Sequence, residues 1–133
     1  MLDSNVLIDI VREPNGQVAA RFALKDRGEI SISPVVSGEL LFGIRERPEA
    51  RSNPGMRFLL DGLRVDTLET PADEVYGRVR LHLMRSGRGL SPNDYWIAAH
   101  AIARDATLVT GDRAFHDAGI EGLKLQDWRR EQD

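Results

Sequence analysis

The sequence predicts an α/β domain around a central, mostly parallel sheet, and three observations carry that prediction. Short apolar runs of strand type alternate with amphipathic runs of helical type along the whole chain. Two Ser-Pro pairs, Ser33-Pro34 and Ser91-Pro92, mark helix starts, with serine as cap and proline in the first turn. There is no cysteine among the 133 residues, so a hydrophobic core must hold the fold, and 41% hydrophobic residues suffice for one. No internal repeat or low-complexity segment divides the chain, and residues 1–133 are read as a single domain.

Met1 and Leu2 end a first strand, and Asp3 follows it. A central strand of two residues is unusually short, so the expectation is either a natural start upstream of Met1 or a stunted strand. Val6 to Val11 predicts a short helix that stops before Pro14, and Val18 to Lys25 a second one with Val18, Phe22 and Ala23 at helical spacing. Ile30 to Ser33 alternates as a strand does. The helix opened by Ser33-Pro34 carries Glu39, Leu40, Leu41, Phe42 and Ile44 and ends near Pro48. Glu49 to Gly55 is polar, punctuated by Asn53-Pro54-Gly55. Met56 to Leu63 reads as helix, Arg64 to Leu68 as strand, and Ala72 to Arg85 as helix with Val75, Val79 and Leu83 on one face. Beyond the glycine-rich loop Ser86 to Leu90, the helix opened by Ser91-Pro92 runs to about Arg104. Thr107 to Thr110 has the pattern of a buried strand, Phe115 begins a short helical piece, and Leu123 to Leu125 forms an edge strand.

Composition excludes several functions. Without cysteine there is no disulfide scaffold, thiolate metal site or cysteine nucleophile. No apolar run reaches the length of a membrane span and residues from Met1 on show no basic segment leading into an apolar one, as a secretory signal would, so the expectation is a cytoplasmic protein with no membrane association. Eighteen basic against 21 acidic residues give a net charge of −3, which is not the bulk signature of a nucleic-acid binder. Arginine dominates the basic set, however. Arg45, Arg47, Arg51, Arg57 and Arg64 form one group and Arg78, Arg80, Arg85 and Arg88 another, and guanidinium forks suit phosphate. Each arginine taken alone is as well explained as part of a solvated helix face.

In open α/β sheets, ligands bind beyond the carboxyl ends of the strands. Asp3 and Asp112 directly follow predicted strands, Glu39 lies early on the helix after the second, and Asp94 lies in the first turn opened by Ser91-Pro92. Four carboxylates brought to one sheet edge repel one another unless cations neutralise them. Oxygen-only ligands suit Mg2+ or Mn2+, which activate water and assist phosphodiester displacement. Each acid also has a structural explanation. Asp3, or else Ser4 or Asn5, caps the following helix; Glu39 is a solvated helix residue, though Leu40, Leu41 and Phe42 argue for apolar surroundings. Asp94 belongs to a capping box from Ser91, and Asp112 to a turn after Gly111. The functional reading rests on the set. Asp9, Asp26, Asp61, Asp66, Asp73, Glu74 and Asp105 lack such placement and are read as surface charges. His82, His100 and His116 share no metal-ligand spacing, and no nucleophilic triad is visible.

Four segments in order carry a resemblance. Met1-Leu2-Asp3-Ser4-Asn5-Val6-Leu7-Ile8, Ser37-Gly38-Glu39-Leu40-Leu41-Phe42-Gly43-Ile44, Asn93-Asp94-Tyr95-Trp96-Ile97-Ala98-Ala99-His100-Ala101 and Leu108-Val109-Thr110-Gly111-Asp112-Arg113-Ala114-Phe115 resemble the four motifs of the PIN-domain family, and Trp128 its closing tryptophan. The likeness extends over nearly the whole chain and is nearest to the VapC-type toxins of bacterial toxin–antitoxin pairs. It implies a three-layer α/β/α fold and a metal-dependent endoribonuclease using Mg2+ or Mn2+, with Asp3, Glu39, Asp94 and Asp112 as catalytic, metal-binding residues. Ser4 keeps the hydroxyl of the commoner threonine, while Asn5 and Thr110 orient the ligands from behind. Ala114 occupies a place that is often acidic in the family, so the resemblance supports a first metal better than a second. It further implies an RNA substrate, a homodimer, and a VapB-type antitoxin that inserts a basic side chain into the site and lays an apolar segment in a nearby groove. Tyr95 and Trp96 either stack a base or, as the stronger expectation, pack internally or at a subunit contact.

Two rivals stand beside this reading. A haloacid-dehalogenase-like phosphohydrolase also begins with aspartate after strand one, and Gly111-Asp112 with Asp117 resembles its metal motif. It wants a second aspartate where Asn5 stands, and Lys25 and Lys124 are poorly placed for its lysine. The other rival is a non-catalytic binding module on a PIN-like fold, against which the filled acidic positions argue.

Overall fold

The sheet is assembled from very short pieces. A computed structural model describes residues 1–130. Strand β1 (Ser31–Ile32) pairs in parallel with β2 (Arg64–Val65), and β3 (Thr107–Val109) pairs in parallel with β4 (Lys124–Gln126). The segment Met1–Asp3 joins the two pairs. Leu2 N donates to Ser31 O at 2.9 Å on one side; on the other, Asp3 N donates to Val109 O at 3.0 Å and Val109 N to Met1 O at 2.8 Å. The order is therefore β2, β1, Met1–Asp3, β3, β4, with the chain's first residues at the centre. Among the described residues this central strand is a single bridge between Leu2 and Val109. Leu2, Ile32 and Leu108 are fully buried, as strands covered on both faces require.

The chain moves outward from the centre through α1 (Ser4–Arg12), α2 (Gln17–Ala23), α3 (Pro34–Glu46) and α4 (Asn53–Asp61), with a 3-10 turn at Arg27–Glu29. It crosses back through α5 (Ala72–Arg85) and α6 (Pro92–Ala103) to β3, and α7 (Arg113–Asp117) leads to β4. Right-handed crossovers in opposite directions put the two helix groups on opposite faces. The packing agrees: α1 lies against α2, α3 and α4, and α5 against α6. This is the three-layer arrangement the sequence implies. One continuous core runs through it, from Leu7 and Val36 through Leu83 and Ile97 to Phe115 and Trp128.

The differences from the sequence reading have local causes. Asn53-Pro54-Gly55 is the first turn of α4 rather than punctuation before it, because first-turn N–H groups need no intrahelical partner and proline fits there. Asn53 Nδ2 also donates to Arg47 O at 2.7 Å, anchoring that start. Strand β2 is two residues long instead of reaching Leu68, because the following segment is held by side chains. Thr67 O meets His100 Nε2 at 3.0 Å, and Asp66 turns inward. Asp66, read as a surface charge, is buried and bridges Arg64 at 2.9 Å and Arg104 at 3.1 Å. Burial alone would raise its pKa, but the Ser31 hydroxyl, then Arg64 and Arg104, hold it below the usual carboxylate range. Among the described residues, no helix is long and apolar enough to cross a membrane.

Candidate active site

The carboxyl ends of the two central strands are tied together before any helix begins. Asp3 caps α1 with Oδ1, which accepts from Ser4 N at 2.8 Å. Its other oxygen, Oδ2, accepts from the Thr110 hydroxyl at 2.7 Å and from Asn5 Nδ2 at 3.0 Å. Both readings of Asp3 are thus compatible: it caps a helix and also faces the sheet edge. Thr110 is fully buried, and its hydroxyl accepts from Asp112 N at 3.1 Å and from Asn5 Nδ2 at 3.3 Å. Asn5 Oδ1 accepts from Gly111 N at 3.0 Å. Asn5 and Thr110 therefore fix the Asp3 carboxylate against the segment that carries Asp112, whose own Oδ1 caps α7 through Ala114 N.

Asp94 is held by α6. Ser91 caps that helix by accepting from Asp94 N at 3.2 Å, half of the capping arrangement its sequence suggests. Glu39 projects from α3, whose start is fixed by Ser33 accepting from Val35 N at 3.2 Å. The apolar surroundings expected of Glu39 are only partly present. Leu40 is buried, but Glu39 itself is exposed and Phe42 points outward at 65% exposure.

The four acids act on one another. Burial is the main cause that raises the Asp3 pKa, with the charge of Asp112 adding to it. Partial loss of hydration, for all that Glu39 reaches solvent, also raises its pKa, followed by the charges of Asp3 and Asp94. Asp94 is raised by burial and then by Asp3 and Asp112, against the pull of Ser91. The charges are close enough to interact but more widely spread than ion ligands: among the described residues, no three acidic or histidine side chains stand at metal-ligating spacing. The donor chemistry fits a hard divalent cation, being all oxygen and mutually repulsive. The Ser4 hydroxyl fits it as well, being buried beside Asp3 with no hydrogen-bond partner. Its position partly offsets the rise at Glu39 without the geometry of a hydrogen bond.

The remaining candidates are engaged elsewhere. His116 Nε2 meets Thr110 O at 2.9 Å, supporting the site from behind. Tyr95 is buried and its hydroxyl accepts from Leu90 N at 2.9 Å. Tyr76 stacks on Trp96 with ring centroids 4.1 Å apart. Arg80 lies over Tyr76 and Tyr95 and donates to the Tyr76 hydroxyl at 2.6 Å, so it joins this internal aromatic group. Arg64 is committed to Asp66, while Arg45, Arg51 and Arg57 line an open concavity where α3 meets α4. The sequence reading missed Arg129, which the fold lays over Gly111. A β-carbon at position 111 would stand 2.7 Å from Arg129 Nη1. No spacing signal relates these two residues.

Comparison with known proteins bears on the whole arrangement. The PIN domain family model matches residues 1–121. The tRNA(fMet)-specific endonuclease VapC of Shigella flexneri is 33% identical over 133 residues, covering 96% of each chain. Ribonuclease VapC2 of Rickettsia felis is 30% identical, again over 96% of each. Among solved structures, the VapBC2 complex of Rickettsia felis bound to a promoter DNA fragment matches with a TM-score of 0.84 at 28% identity, covering 96% of this chain and 97% of its counterpart. The DNA-bound VapBC of Salmonella typhimurium matches with a TM-score of 0.80 at 28% identity, over 96% of both. Nucleases built on this domain are generally metal-dependent. With the fold, the four motifs and the full-length relatives in agreement, the chain belongs to the PIN-domain family, in its branch of VapC ribonucleases.

Proposed function

We propose that Asp3, Glu39, Asp94 and Asp112 are the catalytic, metal-holding residues of this ribonuclease, and that residues 1–133 act as one domain in the cytoplasm as the toxin of a toxin–antitoxin pair. The observation that carries this is the mutual electrostatic influence of the four acids: Asp3 raises the pKa of Glu39 and Asp94, and Asp112 that of Asp3 and Asp94. Such a cluster favours a cation between its members. Mg2+ or Mn2+ is the proposed ion, since neither sulfur nor imidazole faces the cluster. When bound, the ion would activate water and stabilise charge developing on the phosphodiester. The chain's own residues supply orientation. Thr110 and Asn5 hold Asp3 Oδ2 in place, Ser91 sets the turn from which Asp94 projects, and Asp112 is aligned through its backbone N–H on Thr110.

The proposed partners are RNA and a VapB-type antitoxin, with the toxin itself a homodimer. The groove beside Glu39 supports the antitoxin. It is lined by Ile8, Val11, Leu40, Ile44 and Met56, with Arg12 and Arg47 at its edge, and so accepts an apolar segment leading toward the acidic cluster. The Shigella flexneri relative is a tRNA(fMet)-specific endonuclease, so tRNA(fMet) is the first substrate to try.

The test is cleavage of total RNA by purified, antitoxin-free protein with Mg2+ or Mn2+. Discrete cuts are expected that stop with EDTA and fall by roughly 100-fold or more in Asp94→Asn. Absence of cleavage by folded, metal-supplied protein would overturn the assignment.

A further inference from the structure

We propose that Arg129 is a phosphate-binding residue of this site, holding the RNA backbone beside Asp112; the inference rests on the nuclease reading above. An acidic cluster in a protein of net charge −3 repels a polyanion, so substrate approach needs a fixed positive group close by. The arginine groups conspicuous in the sequence are placed elsewhere than beside Asp112. Arg64 is held by Asp66 and Arg80 by the tyrosines, Arg45, Arg51 and Arg57 lie around the α3–α4 corner, and Arg47 lines the groove beside Glu39 with Arg12.

Arg129 is set directly against the Thr110-Gly111-Asp112 segment. Its Cζ would lie 2.8 Å and its Cδ 2.9 Å from a β-carbon at position 111, so any side chain there would push the guanidinium out of this seat. Its orientation is fixed from the far side. Nε donates to Asp9 Oδ2 at 2.6 Å and Nη2 to Asp9 Oδ1 at 3.2 Å, a two-point grip that sets the plane of the fork. The backbone is fixed too, since Arg129 N donates to Asp127 Oδ1 at 3.0 Å and buried Trp128 precedes it. Among the described residues, Nη1 makes no hydrogen bond, and it is the nitrogen nearest the Gly111 seat. The side chain is 47% exposed, so the group is open to solvent and to a ligand.

A strap joining the chain's last described residues to α1 would require only the Asp9 pair. The glycine seat between Thr110, which holds Asp3, and Asp112 is the additional feature. It brings a preorganised guanidinium against the backbone that carries Asp112, where a non-bridging phosphate oxygen can be taken by Nη1 without reorganising the arginine. Arg113 and Arg130 are paired with Asp127 at 3.8 and 3.5 Å.

The experiment measures binding of a cleavable single-stranded RNA by Asp94→Asn protein, with and without Arg129→Gln, over a salt series. The kinetics of Arg129→Gln and Arg129→Lys follow in the otherwise unaltered chain. Arg129→Gln is expected to weaken binding about tenfold and to lower the slope of log affinity against log salt by about 0.7, the loss of one single-strand phosphate contact. KM should rise with little change in kcat, and Arg129→Lys should restore the salt slope. A purely structural strap would lower the melting temperature and leave slope and KM unmoved, which overturns the proposal. Should Arg129→Gln not fold, Arg129→Lys and Asp9→Asn decide: unchanged KM in both rejects it. If the parent protein shows no metal-dependent cleavage, the nuclease reading falls and this inference with it. If the parent cleaves and Arg129→Gln cleaves with the same KM, only the inference falls.

Discussion

Asp94 and Asp66 are both carboxylates near the sheet, yet their environments displace them in opposite directions. Asp94 is raised above its ordinary 3.8 by burial and by Asp3 and Asp112. Above pH 3.8 the unfolded chain releases a proton that folded Asp94 still holds, so stability falls as pH rises through the folded value. Metal-free Asp94→Asn should therefore melt about 1–3 °C above the parent at pH 7, the gap closing as pH falls toward 3.8. Paired thermal scans across that range would show it, and a variant melting lower at pH 7 would contradict it. Asp66 is lowered, so its contribution is present above 3.8 and lost only at still lower pH. Removing it leaves Arg64 and Arg104 facing each other across a buried position. Asp66→Asn should cost about 2 kcal/mol, below the range for a fully buried pair because the arginines are 53% and 41% exposed. Denaturant midpoints would measure this. The sequence displayed Asp3, Asp94 and Asp112 because each follows a strand or opens a helix. It did not display Asp66, whose partners lie at a strand start and a distant helix end, nor Arg129, whose grip on Asp9 spans 120 positions.

Capping decides how well the helices present these side chains. Ser91 accepts the N–H of Asp94 itself, so the cap and the candidate ligand share one turn. Ser91→Ala should cost about 1 kcal/mol and weaken Mg2+ binding several-fold, because the first turn of α6 frays where Asp94 projects. Calorimetric titration would check the affinity, and an unchanged affinity would detach the cap from the site. Helices were the legible part of the fold. Ala72–Arg85 has the predicted bounds, and the serine caps at Ser33 and Ser91 are in place. Strand ends were less legible, since β1, β2 and the Met1–Asp3 segment are too short for period-two alternation to show. The start of α4 was hidden because Asn-Pro-Gly serves turns and first helical turns equally.

Across the whole molecule, the cluster of like charges is a liability that a cation would convert into a tie between the central strands, α3 and α6. Mg2+ at one hundred times its dissociation constant should stabilise the protein by about 2.7 kcal/mol. Asp3→Ala or Asp94→Asn should largely abolish that increment, and melting curves with and without Mg2+ would report it. Equal stabilisation in the variants would place the ion elsewhere.

The central position of the Met1–Asp3 segment has a further consequence for the newly made chain. Synthesis reaches these residues before the hydroxyl that holds Asp3, which belongs to Thr110, 107 positions later. At about 5–20 residues per second, the ribosome takes roughly 5–20 s to supply it. Until then Leu2 has a ladder partner on only one side, in β1. A nascent chain therefore cannot fix the Asp3 carboxylate until the segment carrying Thr110 has also left the ribosome and folded back onto it.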